Sequence, residues 1–87
     1  MSPDETRRAV KEFIFNRFMI GRPANFLKDT DPMLEKGVMD STGVLELVGF
    51  LEERFGFTVE DEELVPEHLG SVDNIVAFVL RKAGLAR

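Results

Sequence analysis

The apolar spacing that follows Asp40-Ser41 constrains this chain more than any other feature. Val44, Leu47, Val48, Leu51 and Phe55 recur at helical intervals. That period places them on one face of a helix. A helix with one apolar face must bury that face against other elements. Asp40 and Ser41 are both good helix-starting residues, because a side-chain oxygen can accept from an orphan N–H of the first turn. The helix is expected from about Ser41 to Phe55, with Gly56 as its stop. Backbone donors and the helix dipole at such an N-terminus favour a phosphate beside Ser41.

Two further segments carry the same period, and a third, short one is marked only by its start and stop signals. Ser2 can cap a helix, Pro3 suits its first position, and Glu5 can complete a capping box. Val10, Phe13, Ile14 and Phe18 then form a stripe, with Phe15 and Met19 beside it. This aromatic cluster reads as core, and Arg7, Arg8, Lys11, Glu12 and Arg17 read as a solvated face. The helix is expected over about 3–20, ended by Gly21-Arg22-Pro23. Pro66 can start a short helix to Leu69, closed by Gly70. Ser71 caps a last helix over 72–83, with Val72, Ile75, Val76, Phe78 and Val79 inward. Arg81 and Lys82 suit its C-terminal dipole. Gly84 stops it, and Leu85-Ala86-Arg87 read as a frayed end.

The expected fold class is therefore all-α: one domain over 1–87, a four-helix bundle with a short third helix. The connection before Asp40 approaches twenty residues, which is long for a compact domain. Phe26, Leu27, Met33, Leu34 and Val38 could anchor it, and Asn25-Phe26-Leu27-Lys28 allows a short helical turn. Phe57-Thr58-Val59 is too short for a strand and reads as a packed loop. Asp61-Glu62-Glu63 reads as an acidic turn.

Composition narrows the function. The chain has 87 residues and a formal net charge of -5, from 16 acids against 11 bases. Phosphate neutralisation needs a basic face, so nucleic acid is not the expected partner. Partners with basic docking surfaces are. With no cysteine and one histidine, His68, no thiolate or histidine metal cluster is expected. Asp29-x-Asp31 opens like a calcium loop and then fails. Met33 takes a ligand position, Leu34 stands where glycine is needed, and Asp40 replaces the bidentate glutamate. No apolar run approaches a membrane span and no signal-peptide core stands at the N-terminus, so a cytoplasmic protein is expected.

The Asp40-Ser41 stretch resembles the modification site of the acyl carrier proteins. The resemblance continues through Glu46-Leu47-Val48, Leu51-Glu52-Glu53, Phe55-Gly56 and Asp61-Glu62-Glu63-Leu64. It ends in Ser71-Val72-x-x-Ile75-x-x-Phe78-Val79 and covers roughly Glu5 to Gly84. It implies a bundle of acyl-carrier type, in which a long first connection crosses the helices. It also implies that Ser41 carries 4'-phosphopantetheine through a phosphodiester, with Asp40 and Thr42 flanking it. A phosphopantetheinyl transferase would attach the arm from coenzyme A with magnesium. The terminal thiol would hold acyl or aminoacyl cargo as a thioester. A loading ligase and downstream transferases or synthases of fatty-acid, polyketide or related biosynthesis would dock on the outer face of the second helix. Carried over by position, Asp40, Glu46, Glu52 and Glu53 are the docking acids and Leu45 the apolar contact. A monomer is the implied state.

Two positions depart from the family. Thr42 stands where leucine is usual, and Gly49 where an exposed apolar side chain is common; both suggest a specialised partner set. Gly43 and Gly49 should each weaken the helix by about 1 kcal/mol relative to alanine. The chain does not read as an enzyme. His68 is the only histidine, and a triad needs a base and an orienting acid in contact. Two other readings remain: a small acidic helical adaptor without a prosthetic group, and a hydrolase using Ser41 as nucleophile. In both, Ser41 needs no modification, and a serine at a helix start is commonly only a cap.

Overall fold

The computed structural model describes residues 2–84. Four helices follow one another: α1 (Pro3–Phe18), α2 (Ser41–Phe55), α3 (Pro66–Leu69) and α4 (Val72–Lys82). Single 3-10 turns occur at Ala24–Phe26 and Asp61–Glu63. No strand occurs among the described residues, so the chain is a small all-α bundle. Among the described residues, no helix is long and apolar enough to cross a membrane. The expected fraying of 85–87 lies outside the described residues.

Each long helix starts on a side-chain cap. Ser2 accepts from the Glu5 amide at 3.1 Å, and Glu5 accepts from the Ser2 amide at 3.0 Å. That reciprocal pair satisfies two orphan donors of α1. Ser71 accepts from the Asn74 amide at 3.2 Å and starts α4. Helix α1 ends at Phe18, two residues short of the expected 20. The Met19 amide still donates to the Phe15 carbonyl, but Gly21 takes φ 82° and turns the chain away. A left-handed φ past a helix end is the position glycine fills most cheaply.

Helix α4 is the centre of the core. Val72, Ile75, Val76, Phe78 and Val79 are all buried, against Val10 and Ile14 of α1 and Leu47 and Leu51 of α2. Each such large side chain contributes about 1.5–3 kcal/mol of burial. Thr6, which carries no apolar signal, is also fully buried; its hydroxyl donates to the Ser2 carbonyl at 3.0 Å.

The long connection over 19–40 does not hang free. The Met33 amide donates to the Gly70 carbonyl, and the Asp73 amide to the Asp29 carbonyl, both at 2.9 Å. These bonds lay the connection across the start of α4. Met33 and Val38 are buried, and Phe26 and Leu27 pack against the core. Leu34, expected as an anchor, is instead half exposed. The carboxylate of Asp29 accepts from Arg7 at 2.8 Å and pairs with Lys11 at 3.0 Å. Arg7 also reaches Asp73. Burial pushes the Asp29 carboxyl up, but Lys11 and then Arg7 hold it below the ordinary carboxylate range. Part of the face read as solvated thus fastens α1 to the connection and to α4.

The aromatic cluster of α1 is only partly core. Phe15 is exposed, because it falls beside the Val10–Ile14 stripe. Phe13 instead stacks on Phe50 of α2, with ring centroids 4.2 Å apart and planes 9° apart. The loop after α2 packs as expected, with Phe57 edge-on to Phe78.

Candidate functional site

The candidate site is the start of α2, and its geometry follows from which residue caps the helix. Asp40 has extended backbone, φ -110° and ψ -175°, and its carboxylate accepts from the Gly43 amide at 2.8 Å. Asp40 is therefore the cap, and Ser41 is the first helical residue. The Ser41 side chain is exposed and enters no hydrogen bond among the described residues. Thr42, also exposed, lines an open groove with Phe18, Leu34, Val38, Met39 and Glu46. Asp40, Ser41 and Thr42 thus stand together at one end of the bundle.

The residues expected on the outer face of α2 divide into two sets. Leu45 is 63% exposed, and Gly49 and Glu53 are exposed. Glu46 and Glu52 are half-buried and already engaged. Glu46 accepts from Arg17 Nε at 2.9 Å and from Arg17 Nη2 at 2.7 Å. This forked pair ties α1 to α2 and holds the Glu46 carboxyl below the ordinary carboxylate range. Glu52 accepts from the Val59 amide at 2.8 Å and so fastens the loop behind α2. Both acids lie on the expected helix, but neither is an unoccupied charge. The missing signal is the partner: Arg17 lies 29 residues from Glu46 in sequence, and no local pattern joins them.

Gly43 was also missed as a site residue. It reads from sequence as a weak point of the helix, yet it is buried where α2 meets Phe18 and Met39. His68, by contrast, has a role away from Ser41's turn. Its ring stacks on Phe78 with centroids 5.0 Å apart, and its Nδ1 lies 3.2 Å from Arg81 Nη2.

No protein-family model matches the chain, and no curated protein matches it.

Proposed function

We propose that the chain is a carrier protein, with Ser41 as the attachment point of a 4'-phosphopantetheine arm. The observation that carries this reading is the division of roles at the start of α2. Asp40 satisfies the helix, and the Ser41 hydroxyl is left exposed with no bond of its own. A serine kept only as a cap would be bonded to an amide of the first turn, as Ser2 and Ser71 are. The sequence resemblance supplies the identity of the group.

The residues present fit that group. The amides of Ser41 and Thr42 head the helix and have no intrahelical acceptor. They and the positive end of the dipole favour the anionic phosphodiester that the Ser41 oxygen would carry. In the transfer, a bond forms between Ser41 Oγ and phosphorus, and the pyrophosphate P–O bond of coenzyme A breaks. Adenosine 3',5'-bisphosphate leaves, and the hydroxyl proton passes to a base of the transferase. The arm would supply a terminal thiol able to hold acyl or aminoacyl cargo as a thioester.

In this reading the chain contributes a hydroxyl and a docking face, not catalysis. Leu45, Gly49 and Glu53 form the part of that face without internal bonds, beside Thr42. Few free charges and one exposed leucine suit weak contacts with several enzymes in turn. Attachment raises the effective concentration of cargo at each partner.

The test is intact mass before and after incubation with coenzyme A, magnesium and a broad-specificity phosphopantetheinyl transferase. The expected result is a gain of one phosphopantetheinyl group, absent in Ser41→Ala. No gain under conditions that modify a control carrier would remove the proposal and favour an adaptor without a prosthetic group.

A further inference from the structure

We propose that Gly43 is a positioning residue for the Ser41 hydroxyl, an inference that rests on the carrier reading. Gly43 lies two residues after Ser41, and its amide donates to the Asp40 cap. A Cβ at this position would stand 2.7 Å from Met39 Cγ, 2.9 Å from Phe18 Cε1 and 3.4 Å from Asp40 Oδ1. The first two separations are closer than carbon atoms tolerate, since an optimal contact is about 3.5–4.0 Å.

Neither neighbour can easily give way. Met39 is buried, and the atom met is in the middle of its side chain. The Phe18 ring is held edge-on to Phe13, with centroids 5.8 Å apart. The cheapest relief is an outward shift of the first turn of α2, which carries both Ser41 and the bond to Asp40. The absent side chain therefore seats that turn against the end of α1. One turn later, the Arg17–Glu46 fork fixes the same two helices to each other. A hydroxyl held in one place suits in-line attack, where small displacements cost large factors in rate.

The experiment uses the full chain with Gly43→Ala, assayed well below its unfolding midpoint. Arm transfer is expected to slow about tenfold in kcat, with a much smaller change in KM for the carrier. Amide resonances of Ser41 and Thr42 should move while those of Ile75 and Phe78 stay in place. If Gly43→Ala does not fold, Phe18→Leu carries the test. It withdraws the ring edge, keeps an apolar filling, and should displace the same two amides and lower the same rate. A folded variant modified at the wild-type rate, with the Ser41 amide unmoved, overturns the proposal alone. A wild-type chain that takes no arm overturns the carrier reading together with it.

Discussion

Helix α2 carries one glycine in its first turn, Gly43, and another at mid-helix, Gly49, and the two are held on opposite terms. At Gly43 an added methyl would strike Met39 and Phe18, whereas at Gly49 it would meet nothing within 4 Å. Intrinsic propensity treats the two positions alike and favours alanine at both. The surroundings differ because the first turn is clamped between the end of α1 and the connection, while Gly49 faces outward. The same contrast extends to the acids. Glu46, near the clamped end, is forked to Arg17; Glu53, near the open end, has no ion pair among the described residues. The start of the helix is fixed by packing and by an ion pair, whereas Gly49 and Glu53 further along have neither among the described residues.

The largest expected effect belongs to the stripe that serves both ends. Leu51 is fully buried against the α4 core. Leu51→Ala should cost about 2–5 kcal/mol, through lost burial and the cavity left behind. Urea unfolding followed by circular dichroism would measure it. A cost well under that range would mean that the bundle collapses around the gap, and that α2 is seated less firmly than its burial suggests.

The glycines come next. Gly43→Ala gains about 1 kcal/mol of propensity and loses about 1–3 kcal/mol to overpacking, so a net destabilisation is expected. Gly49→Ala has only the first contribution and should stabilise by up to about 1 kcal/mol. Equal changes of the same sign in the two variants would break the comparison. Between them lies Asp40→Ala, which removes the bond to the Gly43 amide and should cost about 1 kcal/mol. Asp40→Asn keeps an acceptor and should recover most of that loss. Thermal unfolding of the four variants, measured side by side, orders them.

What could be read before the structure was local. Ser2, Asp40 and Ser71 announce their helices because a cap and its amide are three residues apart. The stripe of α4 is legible for the same reason, since one period brings Ile75, Val76, Phe78 and Val79 to one face. The reading fails where an element's neighbours decide. Phe15 sits in an aromatic cluster yet is exposed, and Phe50, outside the expected stripe, stacks on Phe13. Arg7 looks like a solvating charge and instead joins Asp29 to Asp73. At the candidate site, the exposed Ser41 follows from local capping, but the seat at Gly43 needs Phe18, which lies on another helix. The group that Ser41 would carry comes from the family resemblance, not from any of this geometry.

The smallest effect tests whether the clamped end is held by charge. Arg17 holds the Glu46 carboxyl below its ordinary value, while the nearby Asp40 charge opposes the shift. A carboxylate with a depressed folded-state pKa stabilises the fold fully above its unfolded value, about 4.3. That contribution disappears as the pH falls through the lower folded-state value. Arg17→Gln should therefore raise the Glu46 titration toward ordinary values, followed by its side-chain carboxyl resonance. Its cost to stability should be measurable at pH 7 and fade below about pH 4. High salt should shrink the cost at pH 7, because the pair is exposed. A cost that persists in acid and in salt would assign the contact to packing of the Arg17 stem, and the clamp on Ser41's turn would then rest on Gly43, Phe18 and Met39 alone.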